Sequence, residues 1–350
     1  MRIRRTLPIV FAVLIVAGAV VLAWQLRKHA PPEPARLLPG ADGFLYVDYS
    51  WVRKTNGKPF NPVTHDPEYE QFIQQTGFDY ERDLDSVAFA VHYPHTWPGG
   101  GTGGQAPEPR FSEVFNGRLD TDKCAAYFKR MAKSIEQYNS VNIYTIPIYG
   151  RTFRIAILGV DSVAASNHDD PAVIRGMVDR SRRLASPFAG PALLRRYYKR
   201  VQLASPVWLV AHVEPSAPDF GGLSNFLSHP ADLVISASFN PLHIPFRAAA
   251  LHVRAEAWAS SEEDARGIAD KANVFLSLFH SAEASVGSPG TDADVKALFD
   301  SLQVKQEDTR AVLLATVPTE ILRKMAESPE QMPALSPATK QEQPSKPKQR

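Results

Sequence analysis

The sequence predicts an α+β protein: an internally duplicated unit of antiparallel strands and helices behind one N-terminal transmembrane helix. Three observations carry this expectation. A single uninterrupted apolar run, Leu7 to Trp24, lies between Arg2, Arg4 and Arg5 on one side and Arg27 and Lys28 on the other. Two ten-residue segments, Asp85 to Pro94 and Asp232 to Pro241, align without a gap and share Asp and Pro at the two ends of an apolar strand. Each segment is followed by a second strand, a capped amphipathic helix, a hairpin and a further helix. Strands joined by short turns, with helices inserted between hairpins, favour antiparallel sheets covered on one face.

Taken in order, residues 1–6 form a short cytoplasmic N-terminus and residues 7–26 a transmembrane signal-anchor. Roughly 18 to 20 apolar residues cross a bilayer core as a helix. Cleaved signal peptides carry a shorter apolar region, so an uncleaved anchor is favoured although Val21-Leu22-Ala23 offers a tolerable cleavage site. The leading arginines then hold the N-terminus in the cytoplasm and put the ectodomain of a bacterial protein in the periplasm or outside the cell. Residues 27–36 contain Pro31-Pro32-Glu33-Pro34 and read as a stiff extended spacer.

The first α+β repeat spans 37–185 and the second 206–327. In the first, an apolar strand Phe44 to Tyr49 precedes a helix opened by Asp66-Pro67-Glu68 and ended at Gly77, then the Asp85 strand and a strand from Arg110 to Leu119. Thr121-Asp122 caps a helix bearing Cys124, Tyr127, Phe128, Met131 and Ile135 on one face. Ile143–Ile146 and Phe153–Leu158 form a hairpin around Tyr149-Gly150, and Asp170-Pro171 opens a last helix. In the second repeat, Val207 to Val213, the Asp232 strand and a strand ending at Trp258 lead to acids at 262–264, which suit a helix N-terminus. That helix carries Ile268, Ala269, Ala272, Phe275, Leu276 and Phe279 as its apolar stripe. A hairpin around Glu307-Asp308-Thr309 and a helix at Pro318 close the repeat. Whether the repeats share one sheet is open at this level. The tail, 328–350, is rich in Pro, Gln and Lys and too polar to offset its chain entropy, so it is expected to be disordered.

Composition narrows the function classes. The 350 residues are 44% hydrophobic and 22% charged, with 39 Lys+Arg against 37 Asp+Glu. A net charge of +2 gives no global attraction for nucleic acid, so any electrostatic contact must come from a local patch. The one cysteine, Cys124, forms no intrachain disulfide and suits a buried small hydrophobe. Asp79, Glu81, Asp83 and Asp85 alternate but lack the Gly and terminal Glu of a calcium loop, and Asp79 and Asp83 serve better as caps of the turn before the Asp85 strand. His92, His95 and His168 are the only histidines that could group, and they fall short of the convergent set that zinc requires. The glycine-rich stretch 98–104 bridges two strands and lacks the Lys-Ser/Thr pair of a phosphate loop. No Gly-x-Ser-x-Gly occurs. Neither a catalytic set, a metal nor a cofactor is predicted.

The remaining chemistry is basic. Arg175, Arg180, Arg182 and Arg183 precede Arg195, Arg196, Lys199 and Arg200, which surround Tyr197 and Tyr198. Ser186-Pro187 and Gly190-Pro191 break this stretch, which makes 186–205 an exposed connector between the repeats. Guanidinium groups grip phosphate or carboxylate in a fork, so Arg195, Arg196, Tyr197, Tyr198, Lys199 and Arg200 are the candidate binding residues, with an envelope protein or anionic lipid as partner.

Four motifs resemble a group of uncharacterised bacterial membrane-anchored proteins: the anchor itself, Leu37–Gly43 leading into Tyr46-Val47-Asp48, Thr76–Asp79 before Asp83-Leu84-Asp85, and Gly117–Asp120 before a helix. The resemblance implies a domain of unknown function and brings no catalytic residues. The favoured function is a non-enzymatic binding or scaffold module of the envelope. The alternative is a membrane-tethered hydrolase whose site is assembled from residues distant in sequence.

Overall fold

The computed structural model describes residues 30–50, 53, 67–93, 109–148, 150–182, 190–215, 226–239, 250–285, 293–318 and 320–321. The predicted transmembrane segment, the glycine-rich stretch, His95 and the polar tail lie outside them. Among the described residues no helix is long and apolar enough to cross a membrane.

Among the described residues, twelve strands form one antiparallel sheet. They are β1 (Gly43–Asp48), β2 (Leu84–His92), β3 (Arg110–Gly117), β4 (Ser134–Tyr138), β5 (Val141–Ile148), β6 (Arg151–Ile157), β7 (Ser162–Ser166), β8 (Val207–Val213), β9 (Ala231–Phe239), β10 (Leu251–Trp258), β11 (Gln303–Glu307) and β12 (Arg310–Val317). Their order is β11-β12-β10-β9-β8-β1-β2-β3-β7-β6-β5-β4. From the central β1–β8 pair, each half runs outward through three strands consecutive in the chain. It then receives a hairpin whose second strand, β7 or β12, pairs with the third. The two aligned segments fall on β2 and β9, the second strand of each half.

Helices cover both faces, where the sequence suggests one. The reason is in the central strands: Phe44-Leu45-Tyr46-Val47 and Val207-Trp208-Leu209-Val210-Ala211 are apolar at every position, so neither face tolerates water. On one face α1 (Glu33–Leu37), α5 (Ala172–Ser181) and α6 (Ala192–Tyr197) bring Ala35, Leu37, Ile174, Met177, Val178 and Leu194 onto Phe44, Tyr46, Ala90, Val114, Trp208 and Val210. Phe44 and Trp208 are each 1% exposed, and burying a Phe-sized side chain stabilises by about 2–3 kcal/mol. On the opposite face α4 (Thr121–Met131) packs Cys124 and Phe128 on Tyr144, Ile146 and Val163, while α7 (Glu262–Ser285) packs Ile268 and Ala269 on Ala211, Leu233 and Ala257. Three further helices complete the described set: α2 (Pro67–Thr76), α3 (Tyr80–Asp83) and α8 (Ala293–Ser301).

Four local expectations are corrected. The spacer does not stay extended to residue 36: Pro34 enters the first turn of α1, where a missing N–H costs nothing, and Pro34, Ala35 and Leu37 are buried. Ile135 leaves the helix for β4, because Asn139 and Ser140 adopt φ of 47° and 62° and turn β4 onto β5. Ser162-Val163-Ala164-Ala165-Ser166, too small to signal a strand, is drawn into one between β3 and β6. The hairpin that matches β11–β12 in sheet position is therefore β6–β7 and not β5–β6. Finally, the described part of the connector, 190–205, is not simply exposed, since Leu194 and Tyr197 belong to the core.

Candidate functional site

The register of the sheet lines up one residue from each strand into a row from edge to edge. It reads Ile135, Tyr144, Ile155, Ala165, Glu113, Phe89, Leu45, Leu209, Ile235, Ala255, Leu313 and Val304. Eleven of the twelve carry no charge, and the exception is Glu113. Its cross-strand neighbours on the same face are Phe89 and Ala165, and its neighbours two positions along β3 are Phe111 and Phe115. Among the described residues no group hydrogen-bonds or ion-pairs with the Glu113 carboxyl. Desolvation raises its pKa above the ordinary glutamate value.

Glu113 opens into a cavity of about 360 Å³, in the size range of small-molecule sites. Val87, Phe89 and Phe115 share its sheet face, Tyr49, Tyr80 and Leu84 line it further, and Arg53 and Glu81 supply the other charges. Tyr80 as a whole is 43% exposed, yet its phenol is pushed up to about 12, by desolvation first and by Glu113 second. Arg53 is already engaged, donating to the Leu84 carbonyl and pairing with Asp85. A more open concavity of about 620 Å³, lined by Ser50, Arg53, Asp85 and Arg118, shares Arg53 with the first.

The segment that carries Tyr80 is held by local rules the sequence announces. Gly77 takes φ of 72° and ends α2. Asp79 caps α3 by accepting from the Glu81 N–H at 2.9 Å, and buried Asp83 accepts from the Asp79 N–H and pairs with Arg82 and Arg118. Two of the motifs quoted above therefore meet in space. The Arg118 N–H donates to the Asp83 carbonyl at 2.9 Å, and a side-chain carbon on Gly117 would lie 2.4 Å from that same oxygen, so only glycine fits. From Phe78 and Tyr80 a chain of ring contacts runs through Phe115, Phe72 and Tyr127 to Phe128, joining the cavity wall to α4.

The basic residues singled out from sequence lie on the other face and split into two kinds. Tyr197 is buried and donates to Asp232 at 2.5 Å, and Asp232 also holds His212 at 2.7 Å, whose pKa that hydrogen bond raises. Tyr198 packs edge-on against Trp208. Arg196 lies over Tyr197 and Arg200 over Trp258, with the guanidinium carbon 4.6 Å from the ring centre. Arg195 and Lys199 are exposed. Earlier in the stretch, Arg175 pairs with Glu136, Arg180 donates to the Leu37 carbonyl, and Arg182 to that of Ser140. Arg175, Arg180, Arg182, Arg196 and Arg200 are thus engaged by other groups of the fold, although Arg182, Arg196 and Arg200 stay exposed.

His92 and His168 do come together, their rings 5.4 Å apart. Between them Ser112 contacts His92 Nε2 at 3.0 Å and Ser166 at 2.9 Å. Burial first, and then His168, lower His92 to about 4. His92 and Ser112 are fully buried, so this is a polar joint inside the core. Among the described residues no group of three His, Cys, Asp or Glu side chains is placed to hold a metal ion.

No known family model and no curated protein matches the chain. Among solved structures, crystal form I of TP0453 is similar with a TM-score of 0.41 and 9% identity, over 86% of this chain and 98% of that one. Crystal form III of the same protein gives a TM-score of 0.41 at 12% identity, over 85% and 99%.

Proposed function

We propose that the chain is a membrane-anchored binding module of the bacterial envelope, with its ectodomain in the periplasm or outside the cell and the Glu113 cavity as its ligand seat. The carrying observation is the sheet-wide row in which one unpartnered carboxyl interrupts eleven uncharged side chains beside a cavity of about 360 Å³. Glu113 is half-buried, and desolvating its carboxylate without a partner carries a cost that a ligand offsets when it supplies the counter-group. The like order of strands in the two halves, with the aligned segments on β2 and β9, supports an internal duplication in which only the first copy carries the site. The exposed Arg195 and Lys199 fit an anionic partner or lipid headgroup at a secondary contact. The hydrolase alternative draws little support: the side-chain contact of Ser112 with His92 is buried and lines neither of the two cavities described.

The test is to purify the full-length protein from its own membranes, denature it, and identify released small molecules by mass spectrometry. A compound in near-stoichiometric amount, absent from a Val87→Trp variant that fills the cavity yet melts as the native protein does, supports the assignment. The same compound retained by Val87→Trp removes the cavity from consideration. A fusion of the C-terminal side to a reporter active only outside the cytoplasm tests the orientation, and an inactive reporter overturns it.

A further inference from the structure

Resting on the cavity as ligand seat, we propose that its ligand is an organic cation: an ammonium group carrying an alkyl or aryl body. The lining has two of the three parts of a cation site. Tyr49, Tyr80, Phe89 and Phe115 present aromatic surface, and a ring face attracts a cation by its quadrupole, the more so where water is excluded. Glu113 adds a carboxyl that can pair with a cation within that aromatic setting, flanked by Phe89 across the ladder and by Phe111 and Phe115 along β3. The third part, a cation facing Glu113, is not supplied by the described chain, because Arg53 is committed to Leu84 and Asp85.

Elsewhere the molecule builds the complete set from its own residues. Buried Glu256 accepts from Arg254 at 2.7 Å, from the Trp258 indole at 3.0 Å and from Arg310 at 3.4 Å, while Arg310 also lies 5.0 Å from the Trp258 ring centre. Carboxylate, aromatic ring and guanidinium close on one another there. Around Glu113 the same carboxylate and rings stand at the wall of a cavity, and the geometry points to a cation arriving from outside. An anionic ligand would meet the uncompensated Glu113 charge and is disfavoured.

Three probes of similar size separate the contributions: 2-phenylethylammonium, 2-phenylethanol and 3-phenylpropanoate, titrated calorimetrically at pH 7.5 into full-length protein in nonionic detergent, against detergent alone. The ammonium is expected to bind at least tenfold more tightly than the alcohol, with the carboxylate weakest. Glu113→Gln should bring ammonium and alcohol within about threefold of each other, and Phe89→Leu should narrow the preference while leaving Glu113 in place. An ammonium that binds no more tightly than the alcohol, or a preference untouched by Glu113→Gln, overturns the cation. If the alcohol still binds and Val87→Trp abolishes it, the cavity survives as a ligand seat of another chemistry. If none of the three binds and Val87→Trp retains the compound released from the native protein, both conclusions fall.

Discussion

The third strand of each half carries one glutamate among apolar cross-strand neighbours, and the two are treated in opposite ways. Glu256 on β10 lies between Val234 and Val312, but its neighbours two positions along the strand are Arg254 and Trp258. Both bond it, and Arg310 from β12 joins them. Glu113 on β3 lies between Phe89 and Ala165, and its neighbours two positions away are Phe111 and Phe115, which bond nothing. The difference separates two uses of a desolvated acid. Satisfied from within, it ties strands β10 and β12 together; left unmatched beside a cavity, it makes the folded state less comfortable and a ligand more welcome.

The contrast can be broken by mutation, starting with the largest effect. Glu256→Ala strips Arg254 of its counter-charge and leaves Arg310 with Glu307 alone, and should cost about 3 kcal/mol, seen as a lower denaturant midpoint. A loss below about 1 kcal/mol would mean the network contributes little. Gly117→Ala drives a methyl group into the Asp83 carbonyl and should cost about 2 kcal/mol while displacing Tyr80 and loosening the cavity, which ligand release reports. Native stability with native ligand content would dissolve that joint.

The histidines sharpen the same contrast through pH. His92 sits in the first half with a pKa lowered from 6.5 to about 4, so the unfolded chain binds its proton first and stability falls as pH drops through that window. The loss approaches about 1 kcal/mol per pH unit, and His92→Gln should flatten that limb of the stability profile. His212, raised by Asp232 in the second half, works the other way: its contribution is present below 6.5 and disappears as pH rises through its folded pKa. It is partly exposed, so the effect is smaller after solvent screening. The least change is expected from Glu113→Gln. Because the Glu113 pKa is raised, stability falls as pH climbs above 4.5 toward the folded value, and the glutamine variant escapes that fall. At pH 7 it should gain about 0.5 kcal/mol without ligand. A loss instead would reveal a partner for the carboxylate and undo the comparison.

The sequence makes the second strand of each half legible because Asp85 to Pro94 and Asp232 to Pro241 repeat a local pattern. It also announces the caps at Asp79 and Gly77, whereas α4 is capped one residue ahead of Thr121-Asp122, by Asp120 accepting from the Lys123 N–H at 3.1 Å. The merger into one sheet is a tertiary outcome. Nothing in Phe44–Asp48 alone says that its free edge will meet β8 rather than water. Strand β7 was hidden by its small residues, and β4 by a helical spacing that continues from Cys124 through Phe128 and Met131 to Ile135. The Asn139-Ser140 turn was the signal against it. The basic stretch stands out in the sequence because charge is visible there, whereas the partners that engage it, Glu136, Trp258 and the Tyr197 ring, come from elsewhere or from packing. Glu113 was masked for the opposite reason. In Arg110-Phe111-Ser112-Glu113-Val114-Phe115 alternation does not separate polar from apolar, since both faces are covered, and an acid aligned with two phenylalanines was the one trace of the site.

The central β1–β8 ladder also sets an order of events at birth. Strand β1 ends at Asp48 and β8 begins only at Val207, so the first half leaves the ribosome with Gly43-Phe44-Leu45-Tyr46-Val47 as an open, sticky edge until much of the chain has followed. Pairing so distant in the chain is slow to form. The nascent protein therefore carries its greatest risk of misassociation before its second half exists. A chain truncated ahead of β8 should aggregate even though every helix and strand of the first half is present.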